Sequence, residues 1–441
     1  MAFRGGGAPR NKLINADRAL RTAPLADFAI LARMLARTFV TMAAFAVAGH
    51  LHVAADWPQF LGPDRNGAYR GAPLVSSFPP GGPRVVWSKK IGQGLSGPVV
   101  VGNRLILFHR VGDREVVESL DVASGKTQWQ YGYPTAYRDD FGFDEGPRAV
   151  PVVANGIVHT FGAEGQLHAI TLDRGPRLWS ENTASKFGVQ KGFFGAAGSP
   201  LVESGRVMAN IGGAKAGIVA FDARTGTVAW TATDDAASYS SPVAATMGGQ
   251  RYAIFLTRAG LVGVDPGSGA VKFQRGWRAR ANASVNAATP IVVDNLIFIS
   301  AEYGPGAGVF RLDGSALAEL WSSNDALSNH YATSVHADGV LYGFHGRQEF
   351  GPSLRAVDFR TGRVRWSEEK FGAGTVTLAG DQLVVMREDG ELMLAPVTPS
   401  GFKPTARARV LPATVRAYPA IDSGFLYVRN DNTLLCLDLR R

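Results

Sequence analysis

The sequence predicts an all-β protein, a single eight-bladed β-propeller of four-stranded antiparallel blades. A short phrase recurs along the chain at intervals of about 45 residues, the spacing of a repeat architecture. The phrase is clearest at residues 356–366, where an apolar strand end is followed by Asp358, Gly362 and Trp366. In addition, the two ends of the chain each carry a part of one repeat. A closed ring therefore explains the 441 residues better than several separate domains.

Each part of the phrase has a local physical reason. The Asp carboxylate can accept backbone N–H groups of a turn, and the Gly can adopt positive φ without steric cost. The β-branched and aromatic residues on either side favour strands. We therefore interpret these Asp and Trp residues as structural. The aspartates are Asp121, Asp222, Asp265 and Asp358, and the outer-strand aromatics are Trp87, Trp129, Trp179, Trp230, Phe273, Trp321 and Trp366. A degenerate eighth outer strand is predicted near residues 408–410.

The chain ends predict how the ring closes. Residues 84–88 resemble an outer, Trp-bearing strand with no inner strands before it. Residues 426–439 supply inner strands and a Leu-Asp pair but no Trp strand after them. We expect the N-terminal strand to join the last blade, which removes a free sheet edge. The propeller is thus assigned to residues 84–441.

Two segments precede the predicted ring. Residues 1–55 are interpreted as an N-terminal extension and signal peptide, cleaved after Ala55, with Met34 as an alternative start. An N-terminal cytosolic helix is the competing interpretation. The apolar run of about ten residues is too short to span a bilayer, and no cysteine follows it to carry a lipid anchor. Residues 56–83 should form an irregular Pro/Gly-rich segment packed at the edge of the ring.

Charge and cysteine content narrow the classes of function. The net charge is +9, but residues 1–55 hold seven Lys/Arg against two Asp. The remaining 39 basic and 35 acidic residues are nearly balanced, so binding to nucleic acid is not indicated. Cys436 is the only cysteine, which excludes an intrachain disulfide and a CxxC metal pair.

The repeated Asp-x-x-x-Gly-x-x-x-Trp phrase resembles the pyrroloquinoline-quinone (PQQ)-type propeller repeat over residues 84–441. That superfamily includes quinoprotein alcohol dehydrogenases and the BamB-type outer-membrane assembly factor. Residues 57–63, 146–149 and 329–331 resemble a branch of exported bacterial propellers without an assigned activity. The resemblance implies the fold and leaves the function open, because the repeated residues are structural.

The resemblance also implies what a dehydrogenase of this family needs. Such an enzyme holds PQQ against a Trp under a disulfide, with Ca²⁺ bound by Glu, Asn and Asp side chains and an Asp as base. This chain cannot form the disulfide, and the repeat accounts for its well-placed tryptophans. Trp277 is an extra one, either a platform for a flat ligand or a plug between blades. We expect no cofactor, and we keep PQQ with Ca²⁺ as the alternative.

Other candidate sites are weaker. Their residues are the spaced histidines His330, His336 and His345, the pair His159 and His168, and the acidic loop residues Asp139, Asp140, Asp144 and Glu145. The first set fits no metal motif. For the pair we favour packing over metal binding, and for the loop a solvated surface over a Ca²⁺ site. No metal site and no catalytic residue are therefore predicted.

One candidate pocket follows from counting back from the proline that opens each inner strand, or from its equivalent. Arg148, Tyr239, Tyr331 and Arg416 lie three residues before it, and Asn286 and His330 lie one residue earlier. Lys191 and Phe194 would add to the rim. The polar and charged side chains of this set would bind a small polar or anionic ligand through charge-assisted hydrogen bonds. The alternative is that they bridge neighbouring blades. Both interpretations stay open.

Two functional hypotheses result. The sequence favours an exported, periplasmic or secreted, non-enzymatic scaffold that binds an envelope protein, a peptide or a small ligand. The alternative is a PQQ- and Ca²⁺-dependent alcohol or sugar dehydrogenase-like oxidoreductase that uses the central funnel.

Overall fold

The structure is a computed structural model that describes residues 56–279, 281 and 284–441. The predicted extension and signal peptide, residues 1–55, lie outside the described residues. Eight sheets form the blades of a ring, and each contains four consecutive antiparallel strands or their equivalent. The predicted eight-bladed propeller is confirmed.

The first strands of the chain are β1 (Ala68–Tyr69) and β2 (Arg84–Lys90). Blades 1 to 4 comprise β3 (Val99–Val101), β4 (Arg104–Val111), β5 (Arg114–Asp121), β6 (Thr127–Pro134); β7 (Val152–Ala154), β8 (Ile157–Phe161), β9 (Gln166–Thr171), β10 (Arg177–Asn182); β11 (Leu201–Glu203), β12 (Arg206–Gly213), β13 (Ala216–Asp222), β14 (Val228–Ala232); and β15 (Val243–Met247), β16 (Gln250–Leu256), β17 (Gly260–Val264), β18 (Val271–Gly276).

Blades 5 to 8 comprise β19 (Ile291–Val293), β20 (Leu296–Ala301), β21 (Gly306–Asp313), β22 (Ala316–Ser323); β23 (Val335–Ala337), β24 (Val340–His345), β25 (Ser353–Asp358), β26 (Val364–Glu368); β27 (Gly374–Ala379), β28 (Gln382–Arg387), β29 (Glu391–Pro396), β30 (Ala406–Arg409); and β31 (Ala420–Asp422), β32 (Phe425–Arg429), β33 (Thr433–Asp438). Helix α1 (Thr183–Phe187) and a 3-10 turn (Gln348–Phe350) lie in loops. Nowhere in the described residues is a helix long and apolar enough to cross a membrane.

The ring closes as expected, through the N-terminal strand. β2 pairs antiparallel with β33 and supplies the outer strand of blade 8, with Trp87 opposite Cys436. The last blade is therefore built from both ends of the propeller sequence.

The recurring phrase joins neighbouring blades. In blade 2, the Trp179 indole N–H donates to the Ala223 carbonyl of blade 3 at 3.1 Å. Asp222 accepts the Thr225 amide at 2.9 Å and shapes the turn that places Gly226 on the Trp179 ring. A Cβ added at Gly226 would lie 2.6 Å from that ring. The other pairs of this kind are Trp87 with Gly125, Trp129 with Gly175, Trp230 with Gly269, and Trp321 with Gly362.

Blade 7 departs from the pattern. Ala406 lies opposite Leu394 in the way that Trp230 lies opposite Ala220 in blade 3. The degenerate outer strand predicted near residues 408–410 is thus present as β30, which begins at Ala406. Ala406 carries no ring to contact blade 8.

The N-terminal segment covers this junction. β1 pairs in parallel with β27 of blade 7, and the Tyr69 hydroxyl accepts the Gly424 amide of blade 8 at 3.0 Å. Val75 N–H donates to the Leu439 carbonyl at 2.8 Å. The segment therefore links the two blades that lack an intervening Trp.

The same segment also crosses the central channel, beyond the edge position expected for it. It bonds the inner strand of blade 1 through Trp57, of blade 2 through Pro58 and of blade 7 through Gly67. Between these contacts, buried Arg65 donates to carbonyls of blades 3 and 4, including Pro242 O at 2.9 Å. Burial lowers the pKa of Arg65 to about 9. The segment closes one end of the channel.

A matched pair of glycines in blade 3 tests the contact between blades. Gly226→Ala and Gly205→Ala both place Ala at a similar positive φ, 75° and 73°, which costs roughly 1–2 kcal/mol. Only at position 226 does the new Cβ meet a tryptophan ring. In urea unfolding we expect Gly226→Ala to lose about 1–3 kcal/mol more than Gly205→Ala. Equal losses would show that the ring does not press on this turn.

Candidate functional site

A cavity of about 440 Å³ lies around the channel axis, beside the residues that lead into the inner strands. In every blade except blade 7, the residue three positions before the proline that precedes the inner strand, or before its equivalent, lines this cavity. These residues are Leu95, Arg148, Ala197, Tyr239, Ala287, Tyr331 and Arg416. Phe60 of the channel-crossing segment also lines it, so the cavity has a floor and one open mouth.

The structure brings five of the seven predicted funnel residues together. Arg148, Tyr239, His330, Tyr331 and Arg416 line the cavity. Their part in binding a ligand stays a prediction.

The other two predicted residues lie elsewhere. Asn286 is buried in the wall, where its amide donates to the Thr257 and Trp277 carbonyls at 2.8 and 2.9 Å. Lys191 pairs with Asp140 and donates to the Arg138 carbonyl at 2.7 Å, outside the cavity lining. Trp277 is buried against Phe310 and is a plug between blades rather than a ligand platform.

Further lining residues come from a part of the blade that the sequence analysis did not consider. In an antiparallel blade, the hairpin between the second and third strands lies at the same face as the start of the inner strand. Tyr303 of blade 5 and Arg347, Gln348 and Glu349 of blade 6 lie in such hairpins and line the cavity. The order of strands in the repeat predicts that these hairpins lie at the same end of the channel as the inner-strand positions, and this could have located them.

A carboxylate from the corresponding hairpin of blade 7 organises one side of the cavity. Glu388 accepts Arg416 Nε at 2.9 Å and Gln348 Nε2 at 2.8 Å. The Tyr331 hydroxyl donates to the same carboxylate, and burial next to it raises the pKa of Tyr331 well above its usual value. Three lining residues are thus held in place by one acid.

His330 continues this network as a neutral imidazole. Its Nδ1 accepts the Gln348 amide at 3.3 Å, so the ring proton resides on Nε2 and is donated to the Tyr303 hydroxyl at 2.9 Å. Burial lowers the pKa of His330 to about 4, which keeps it uncharged near pH 7. We call Tyr303, His330, Gln348 and Arg416 the polar wall.

Another part of the cavity lining is aromatic. Phe141 and Phe143 from the loop before blade 2 meet Phe193 and Phe194 from the loop before blade 3, with ring centroids 5.3–6.5 Å apart. Phe141 and Phe143 are 54% and 60% exposed at the mouth. We call these four residues the phenylalanine wall. Of these four residues only Phe194 was predicted, as a part of the rim.

Arg148 lines the cavity and also holds the loop that bears Phe141 and Phe143. Its guanidinium donates to the Tyr137 hydroxyl at 3.2 Å and the Asp144 carbonyl at 3.1 Å. Its Nη2 also lies 3.4 Å from Oδ1 of Asp139, whose carboxylate is fully buried. These partners all lie in the loop that contains Arg148, so the side chain lines the cavity and braces its own loop, and these contacts do not bridge neighbouring blades.

The acidic loop uses its carboxylates internally. Asp144 accepts the amides of Gly94 and Gly146 at 3.0 and 2.7 Å, and Asp139 accepts the Phe143 amide at 2.6 Å. The described residues contain no group of three or more His, Cys, Asp or Glu arranged to hold a metal ion.

The cavity does not present free calcium ligands of the kind that the family resemblance implies. The two carboxylates at it are engaged, Glu388 by three donors and Glu349 by Arg347 at 2.7 Å. The nearby Asn286 amide is bound to backbone carbonyls. Since Ca²⁺ needs about six or more oxygen ligands, these residues do not supply the acid and amide set that the family resemblance implies.

The fold and the repeat define a PQQ-like β-propeller. The sequence profile of the family described as outer membrane protein assembly factor BamB matches residues 75–188, 113–367 and 274–441. The chain belongs to this family.

Individual relatives divide between two classes of protein. The chain is 22% identical to the outer membrane protein assembly factor BamB of Yersinia pestis, over 52% of this chain and 61% of that protein. It is 32% identical to the quinohemoprotein alcohol dehydrogenase ADH-IIG of Pseudomonas putida, over 33% of this chain and 21% of that protein. Each match spans less than two thirds of the curated relative.

Solved structures agree on the fold. The crystal structure of quinohemoprotein alcohol dehydrogenase from Comamonas testosteroni superimposes with a TM-score of 0.62 at 16% sequence identity. The superposition covers 89% of this chain and 82% of that one. At this identity the likeness concerns the fold alone.

The brace at Arg148 yields a stability prediction. Arg148→Met leaves the buried Asp139 carboxylate without its cation, and breaking such a pair costs about 3 kcal/mol or more. Arg251→Met is the matched control, because its pair with Glu203 is partly exposed, 44% and 22%, and should contribute less than about 1 kcal/mol. Urea unfolding measures both. Equal small losses would show that Arg148 is only a lining residue.

Proposed function

We propose that this protein is a non-enzymatic binding protein of the cell envelope, exported to the periplasm or beyond, which holds a partner molecule in its channel cavity. The observation that carries the proposal is the cavity itself, with a floor at Phe60 and exposed phenylalanines at its mouth. A cavity of about 440 Å³ lies within the range of small-molecule sites, about 300–1,000 Å³. It would also accept one or two side chains of an envelope protein or peptide.

The chemistry of the lining supports binding rather than catalysis. Proton-transfer groups are held in structural roles, since His330 engages both ring nitrogens. Glu388 likewise engages three donors. Membership of a family described by an outer membrane assembly factor supports the envelope as the site of action.

The second candidate is a PQQ-dependent alcohol or sugar dehydrogenase-like oxidoreductase. Its support is the match to a quinohemoprotein alcohol dehydrogenase. The donor set of the cavity, with its engaged carboxylates, speaks against it.

A blocked cavity tests the proposal. Ala197 lines the cavity, and Ala197→Trp should fill part of it without touching the contacts between blades. Wild type and variant are incubated with envelope extract from the source cells, washed and denatured, and the released molecules are identified by mass spectrometry. We expect a molecule that is released from wild type and is depleted at least about tenfold in the variant.

The control and the contrary outcomes are distinct. Ala244→Trp, in the partly buried inner strand of blade 4 away from the cavity lining, controls for an added indole, and both variants must unfold near the wild-type temperature. Identical release from wild type and Ala197→Trp would overturn the proposal. Release of PQQ, with dye reduction on adding an alcohol, would establish the dehydrogenase instead.

A further inference from the structure

The two walls of the cavity differ in what they offer a ligand. The phenylalanine wall offers ring faces and edges, and Phe194 continues it to Tyr239 with an edge-on contact at 5.4 Å. The polar wall offers hydrogen-bond donors. A ligand that satisfies both walls has an apolar, aromatic part and a hydrogen-bond acceptor at its other end.

Arg416 presents the strongest of these donors. Its Nε is fixed by Glu388 at 2.9 Å, and its guanidinium carbon lies 5.3 Å from the centre of the Phe143 ring. Among the described residues, neither terminal nitrogen of Arg416 has a hydrogen-bond partner. A guanidinium held in this way keeps two N–H groups in a planar fork that matches the two oxygens of a carboxylate.

Tyr303 adds a second donor. Because His330 Nε2–H donates to the Tyr303 oxygen, the hydroxyl proton of Tyr303 is available for another acceptor. Burial raises the pKa of Tyr303, so the hydroxyl keeps that proton near neutral pH. Arg347 packs over the Tyr303 ring at 4.7 Å and limits its movement.

The other charged lining groups have partners already. Arg347 pairs with Glu349 at 2.7 Å, and Arg148 is committed to the loop before blade 2. Glu388 is not itself a lining residue; it accepts three hydrogen bonds from lining residues, so it has little capacity left for a cationic ligand. The hydrogen-bond donors of the lining that remain available to a ligand are thus those of Arg416 and Tyr303, and both require an acceptor.

We propose that the cavity binds an aromatic monocarboxylate, whose carboxylate accepts from Arg416 and Tyr303 while its ring packs on the phenylalanine wall. This inference rests on the proposed binding function and names the ligand class for that site. The cavity volume of about 440 Å³ is suitable for an acid with one or two rings.

Calorimetric titration of the full chain with matched probes tests the proposal. The probes are indole-3-acetate and 1-naphthoate, the primary amide of each, and hexanoate as a carboxylate without a ring. We expect each aromatic acid to saturate one site, and its amide and hexanoate to bind at least about tenfold more weakly, since hydrogen bonds to charged groups are the stronger ones.

Variants locate the binding. Tyr303→Phe removes one hydroxyl and keeps the ring, and should weaken the acids about tenfold while changing the amides less. Ala197→Trp should abolish binding of the acids. Arg251→Gln, in the second strand of blade 4 and outside the cavity lining, should leave their affinity unchanged. Equal unfolding temperatures of wild type and Tyr303→Phe exclude a folding defect as the cause.

Several results would overturn the proposal. Equal affinity for acid and amide would show that the carboxylate is not recognised. Hexanoate binding as tight as that of the aromatic acids would show that the ring is not recognised. Absence of acid binding, while Ala197→Trp still depletes a molecule from envelope extract, would reject this ligand class and keep the binding function. If the extract experiment also shows no difference, the proposed function itself fails.

Discussion

The structure depends on one contact between blades, the Trp ring of one outer strand lying under the Gly of the next repeat. The contact requires three residues at once: the Asp that shapes the turn, the Gly that tolerates positive φ, and the Trp whose indole N–H bonds the neighbouring blade. Five of the eight junctions between the described blades carry this Trp–Gly contact, so at those junctions the angle between blades is set locally. The diameter of the channel, and hence the room for a cavity, follows from the repeated contact.

Where that contact is missing, another part of the chain replaces it. Ala406 stands in the Trp register of blade 7, and the segment from β1 to Val75 joins blades 7 and 8 there. Inside the ring, Tyr418 of blade 8 compensates in a similar way, since its hydroxyl reaches the Thr333 amide of blade 6. The N-terminal segment is therefore a structural part of the ring and supplies the floor of the cavity.

The fold was predictable because its signal is periodic, and the site was predictable as far as it shares that period. The offset of three residues before Pro151, Pro242 and Pro419 correctly located lining residues. It misplaced Asn286, which shares the offset of His330 but is held in the wall because its amide donates to two backbone carbonyls.

The rest of the site has no period. Tyr303, Gln348 and Glu388 come from hairpins of different length and sequence, and the link from Glu388 to Arg416 joins side chains from separate loops. Such a link depends on how blades are arranged in space. A single sequence does not carry that information in any local pattern.

The closure of blade 8 has a consequence for how the chain is made. Arg84 and Asp438 of that blade are 354 positions apart, so the strand that begins the ring can pair only after almost the whole propeller sequence has been synthesised. Contacts of such sequence separation slow folding and leave strand edges exposed in the meantime. The edge of β2 therefore stays unpaired until β33 has been made, and pairing with β33 removes this exposed edge.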